Sequence, residues 1–329
     1  MNLAAETALP MSKILDPSIL FFVFGLLAGA LRSNLEIPPA ISRFLSLYLL
    51  MALGLKGGFA LAQSGLSAEV AQSLGCALLL AAVVPAIGYL LLRRWLNGFD
   101  AAAVAATYGS VSAVTFITAV QYTESQGLAP GGHMAAAMAL MESPAIVMAV
   151  LLANRVRRLQ GKAAQATPLR QVLHESLTDG AQLLLLGAMV VGLLTGAAGQ
   201  QAMAPFSVDL FKGMLAFFLL DMGLLAARSA GALRQVSPWL IAYALLGPLV
   251  HAALALVLAA AVGLSAGNGA LLMVLAASAS YIAVPAVLRQ AVPEAQPALY
   301  FGLSLGLTFP FNILLGIPLY AGVAQRVLP

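Results

Sequence analysis

The chain has 329 residues, of which 61% are hydrophobic and only 9% charged, and its mean hydropathy is +0.96. A soluble fold carries about 25% charged residues because water must cover its surface, so this composition excludes a soluble domain, a disordered chain and a disulfide scaffold. It indicates an all-α polytopic membrane protein. The net charge of +4 comes from Lys and Arg residues that orient such a protein in the bilayer, and nucleic acid is not among the expected partners. The single cysteine, Cys76, lies in an apolar run and reads as a small buried residue.

A spanning helix needs about 20 mostly apolar residues. Ten such runs follow in chain order: Ile14–Leu31, Pro38–Ala62, Val70–Leu92, Ala101–Tyr122, Met134–Ala153, Leu173–Thr195, Leu210–Ala227, Pro238–Val262, Gly269–Leu288 and Ala298–Ala324. The first, with Lys13 before it and Ala28-Gly29-Ala30 at its end, has the outline of a cleavable signal peptide. Its counterpart later in the chain favours a retained span. The one sizeable polar segment, Asn154–Gln171, carries Arg155, Arg157, Arg158, Lys162 and Arg170, which suits contact with anionic headgroups. The expected organisation is a first five-helix repeat over 1–155, a cytoplasmic linker over 156–172 and a second repeat over 173–329.

Twelve of the sixteen Lys and Arg residues fall on one side of this map: Arg32, Arg43, Arg93, Arg94, the five of the linker, Arg228, Arg234 and Arg289. Positive charge marks the cytoplasmic face, so both termini are expected outside a bacterial inner (plasma) membrane.

The two halves also echo each other. Gly25-Leu-Leu-Ala-Gly-Ala30 matches Gly192-Leu-Leu-Thr-Gly-Ala197, Gly54-Leu55 matches Gly223-Leu224, and Pro85 matches Pro248. Ser110-Val-Ser-Ala-Val114 matches Ser280-Tyr-Ile-Ala-Val284, and Pro144 matches Pro310. Five spans per half is odd, so the second half must be inverted, and inverted repeats are the mark of secondary transporters.

Spans 4 and 9 carry the densest hydroxyl clusters, Thr107 through Thr115 and Ser278 through Pro285. Interrupted helices there would bring half-helix N-termini to the midplane, where unpaired N–H groups and positive dipole ends favour an anion. Close packing of small hydroxyl residues is the alternative. Pro144, Pro248, Pro285 and Pro310 free the carbonyls of Leu140, Ala244, Tyr281 and Gly306; a freed carbonyl either coordinates a cation or is capped by a neighbouring hydroxyl. Ionisable groups inside a bilayer cost about 2.5–3.5 kcal/mol even on the mildest scale, which makes Glu142 and Asp221 coupling candidates, with Thr308 beside them as a cation candidate. Lys56 and His251 are further intramembrane polar groups. Lys56 and Asp221 form either a structural pair or part of the transport path, and His251 is either proton-sensitive or a satisfied core histidine. Gly25/Gly29, Gly54/Gly58, Gly192/Gly196 and Gly302/Gly306 mark close helix contacts. No cofactor, zinc or phosphate-loop motif is present, so a gradient-driven carrier rather than an enzyme is expected.

Leu15 through Gly25, Leu35-Glu-Ile-Pro38, Gly54-Leu-Lys-Gly-Gly58, Tyr108-Gly-Ser-Val-Ser112, Met141-Glu-Ser-Pro-Ala145, Gly247 through His251 and Ala276 through Pro285 give the chain its resemblance to the sodium-dependent bicarbonate permeases of cyanobacteria and their proteobacterial relatives. The resemblance implies ten helices in two inverted repeats, core (transport) and gate domains, a homotrimer or other homo-oligomer in the lipid bilayer, and symport of bicarbonate with sodium as co-substrate. It implies an anion site at Ser112, Thr115, Ser278 and Ser280, with Gly109, Ser110 and Tyr281 beside them, and a PII-like regulatory partner on the cytoplasmic face. Tyr281 stands where the cyanobacterial pattern has an Asp. The alternative is therefore a carrier of the same fold for another small monoanion, such as a carboxylate, coupled to protons through Glu142 or Asp221.

Overall fold

The computed structural model describes residues 16–162 and 166–329; Lys13 and Ile14, at the start of the first expected span, lie outside the described residues. The regular structure of the described residues is all helical, with no strand among them. In order they form α1 (Pro17–Ala30), α2 (Pro39–Ser64), α3 (Ala68–Leu92), α4 (Gly98–Gly109), α5 (Ala113–Ser125), α6 (Met134–Leu159), α7 (Leu169–Leu177) and α8 (Gly180–Ala204). There follow α9 (Phe211–Ser229), α10 (Pro238–Val262), α11 (Ala266–Ala277), α12 (Ala283–Ala291), α13 (Pro297–Leu303), α14 (Phe309–Phe311) and α15 (Ile317–Val327). Seven helical stretches among the described residues are long and apolar enough to cross a membrane, one of them the 50-residue run Gly180–Ser229 that contains both α8 and α9. The apolar helices α1 and α11 are shorter.

Caps explain several starts. The Asn97 side chain accepts from the N–H groups of Phe99 (2.9 Å) and Asp100 (3.0 Å) at α4, and Asp179 accepts from Ala181 (3.0 Å) and Gln182 (3.1 Å) at α8. Side-chain oxygens there satisfy donors that have no partner within the helix.

The Asp179 cap also corrects the sixth span. The run Leu173–Thr195 is not one helix: Leu173–Leu177 belongs to α7, and α8 starts only at Gly180 and continues to Ala204. Leucines on one face of a short amphipathic helix had extended the apolar count across the cap. The linker changes with it, since α6 runs on to Leu159 and α7 begins at Leu169. Arg157 is not a headgroup contact: it is 2% exposed and binds Glu294, Asn154, Thr167 and the Ala291 carbonyl.

Two packing groups share the chain. In the first, α1 lies along α9 and α2 along α8. Glycine makes both approaches: a Cβ on Gly25 would meet the backbone of Gly223 at 3.1 Å, and one on Gly192 would meet the Gly58 Cα at 3.1 Å. Gly196 is different. It has φ +54 at a kink in α8 with nothing within 4 Å of its Cβ position, so it provides a left-handed backbone turn and not the close contact expected of it.

In the second group α3 packs against α4 and α6, and α11 packs against α10, α15, α3 and α5. Gly98–Ser125 is the most enclosed of the apolar stretches, and α11 is buried from Gly267 to Ala277. The interrupted segments therefore run through the interior. The last stretch, Pro297–Val327, contains two π turns, Ser304–Thr308 and Asn312–Gly316, beside Pro310 and Pro318, where the regular bonding ladder fails. Trp95 and Trp239 stack at 6.0 Å next to Arg93 and Arg94, as at a membrane interface.

Candidate functional site

Two breaks meet inside the molecule. The chain leaves the helix between Gly109 and Ala113, and again between Ala277 and Ala283. At the first break a Cβ on Gly109 would come within 2.5 Å of the Pro85 ring, so only glycine allows α4 to end so close to α3. The breaks bond to each other twice: the Ser112 N–H donates to Ser278 Oγ (3.1 Å), and the Ser280 N–H donates to the Thr107 carbonyl (2.8 Å). Backbone released from the helix is thus satisfied by the partner break, as buried peptide groups require.

Ser112 caps the helix that follows the first break, and Ser280, two residues before the Ile282 cap of α12, bonds into the first turn after the second. Ser112 Oγ accepts from the Thr115 N–H (3.2 Å) at the start of α5, and Ser280 Oγ accepts from the Val284 N–H (3.3 Å) at the start of α12. Two helix N-termini, each carrying a partial positive charge, are anchored within one small volume. Ser110 Oγ and Thr115 Oγ1 are buried and have no hydrogen-bond partner. Orphaned buried hydroxyls cost about 1–3 kcal/mol each, and these two flank the same helix interruption.

The other expected residues separate by role. The Tyr281 hydroxyl donates to Met222 Sδ (3.6 Å), and its ring packs on Phe309 at 5.1 Å. Thr308 bridges the Tyr108 hydroxyl (2.6 Å) and the Ala244 carbonyl (2.7 Å). That carbonyl is the one released by Pro248, so here the freed acceptor is capped by a hydroxyl. Glu142 receives its hydrogen bond from Gln182 in the first turn of α8, outside the crossing. His251 is buried with Nδ1 unpaired, 6.4 Å from the Tyr243 ring.

Lys56 and Asp221 are not a pair. Lys56 Nζ binds both oxygens of Glu124 at 2.9 Å, and Asp221 accepts from Ser42. Matched positions in the sequence carry no distance information: Asp221 meets α2 at Ser42, in its first turn, whereas Lys56 lies in the second half of that helix. Glu124 was not legible as a site residue, since no local pattern links it to a lysine 68 positions earlier.

Two cavities flank the crossing. The larger, of about 700 Å³, runs between α2 and α9 on one side and α12 on the other, reaches Tyr281 and Ile282, and is lined by Asp221, Arg43, Arg228 and Arg289. The smaller, of about 210 Å³, lies toward the other end of α2, along α5, and holds Lys56 and Glu124. The larger cavity thus brings Arg43, Arg228 and Arg289, with Glu36 and Asp221, to the side of the crossing where Tyr281 lies.

No curated protein matches the sequence. The model of the Na+-dependent bicarbonate transporter superfamily matches residues 17–325, nearly all of the chain and both breaks, and the chain belongs to that superfamily.

Proposed function

We propose that the protein is a secondary active transporter that takes up bicarbonate with sodium by alternating access, with the anion held at the crossing of the two broken helices. The reciprocal bonding of the breaks, Ser112 to Ser278 and Ser280 to Thr107, is the observation that carries this reading. Ser110, Ser112, Thr115, Ser278 and Ser280 supply its hydroxyls, Gly109 its close backbone, and Tyr281 the wall toward the larger cavity. The polypeptide crosses a bacterial inner membrane ten times as two inverted five-helix repeats. The packing of α1 on α9 and of α2 on α8, with equivalent glycines at both contacts, supports that symmetry. These four helices act as the gate and the remainder as the core that carries the anion. The cavity lined by Arg43, Arg228 and Arg289 faces the cytoplasm in this orientation, so the conformation described is open inward.

Labelled bicarbonate uptake into proteoliposomes tests the reading. An inward sodium gradient should drive accumulation, and collapse of that gradient should abolish it. Accumulation indifferent to sodium would remove the coupling. A proton-coupled carboxylate carrier is the second reading, favoured by Tyr281 standing without a carboxylate while Asp221 lines the adjacent cavity; uptake of that kind would follow a pH gradient instead.

A further inference from the structure

We infer that Lys56 forms a second anion site, a capture site for the carboxylate-like face of the incoming anion, and that Glu124 occupies it as an internal stand-in while the site is closed. The inference rests on the anion-transport reading above.

Lys56 sits in an apolar helix, where a cation is costly, and among the described residues its ammonium is held by both Glu124 oxygens at 2.9 Å and by the face of Phe211, whose centroid is 5.2 Å away. Bicarbonate and a carboxylate present the same planar pair of oxygens. A cation that receives both oxygens of Glu124 therefore has the geometry to receive both oxygens of the anion.

The surroundings fit a guest. The cavity of about 210 Å³ beside the pair holds far more than one water and is lined by Gln63, Gln200 and Ser207 together with these two charges. The pair is also weak. Its side chains are 25% and 38% exposed, and ion pairs open to water are easily exchanged. The other ion pair among the described residues, Arg157 with Glu294, contrasts with it: that guanidinium is 2% exposed and carries further bonds to Asn154, Thr167 and Ala291.

Exchange would have a mechanical consequence. Lys56 belongs to α2, and Glu124 lies in the last turn of α5, the helix that begins at the Ser112 break. An anion that displaces Glu124 releases α5 from α2, so capture at the mouth loosens the segment that holds the inner site.

Kinetics of bicarbonate uptake in proteoliposomes separate this from a structural bridge, because the two single variants act in opposite directions. Lys56→Gln should raise KM about tenfold, as loss of a charged hydrogen bond predicts, with the maximal rate little changed. Glu124→Gln should lower KM about threefold, by removing the internal competitor. KM rising in both variants would overturn the proposal, and if Lys56→Gln does not fold, a KM that fails to fall in Glu124→Gln overturns it alone. Formate, a bare carboxylate, provides a readout independent of transport: it should raise the melting temperature of the wild type and of Glu124→Gln by more than that of Lys56→Gln, in which only the crossing remains to bind it. Equal shifts in all three would contradict the capture site even where uptake is confirmed, whereas absent uptake with the expected formate pattern would count against the transport reading alone.

Discussion

Ser110 and Thr115 separate stability from function at the level of single atoms. Their hydroxyls are buried and unpaired, so Ser110→Ala and Thr115→Val remove a desolvated group and should leave the melting temperature unchanged or raise stability by about 1 kcal/mol. The same variants should weaken bicarbonate uptake severalfold; a drop in stability with normal uptake would mark the hydroxyls as structural. The Arg157 clamp behaves in the opposite way. Glu294, in the loop before α13, has its carboxyl held below the usual carboxylate range first by its hydrogen bond to Arg157. A lowered folded-state value means that its stabilisation is complete at neutral pH and is lost as pH falls through that value. Glu294→Gln should therefore cost about 2 kcal/mol at neutral pH and flatten the acid-induced fall in melting temperature below about pH 4.3; an identical acid profile in wild type and variant would contradict this. The hydroxyls were legible in the sequence because polar residues in an apolar span announce themselves. Arg157 and Glu124 were not, because a charge near a predicted span end reads as solvated until tertiary contacts bury or pair it.

Among the elements, the interrupted helices were the most legible, since a run of serines and glycine in an otherwise apolar span weakens the helix at one place. The boundary between α7 and α8 was obscured because Leu173 and Leu177 match the apolar run that follows, and only the Asp179 cap divides them. Glycine contacts were half legible: Gly58 and Gly192 do meet, whereas Gly196 is a kink. Their difference is measurable. A Cβ on Gly58 would meet the Gly192 Cα at 2.9 Å and the Leu193 nitrogen at 2.8 Å, whereas Gly75 and Gly187 have nothing within 4 Å. Gly58→Ala should lower stability by about 1–3 kcal/mol in detergent through overpacking. Gly75→Ala and Gly187→Ala should be neutral or gain up to about 1 kcal/mol from helix propensity. Equal effects at Gly58 and Gly75 would contradict close approach of α2 and α8.

At the scale of the whole molecule, the composition places the chain in the membrane class, and the repeated motifs suggest two related halves. What the pattern could not convey was depth. The two cavities lie toward opposite ends of α2, the larger lined by three arginines and the smaller by Lys56 and Glu124. In the transport reading this asymmetry is one of two alternating states, and the crossing of the breaks is the point both states share. A density map of the protein loaded with bicarbonate and sodium tests that claim most directly. Anion density bounded by Ser110, Ser112, Thr115, Ser278 and Ser280 is the predicted result. A crossing that stays empty in a fully loaded sample, with the breaks closed onto each other, would contradict it.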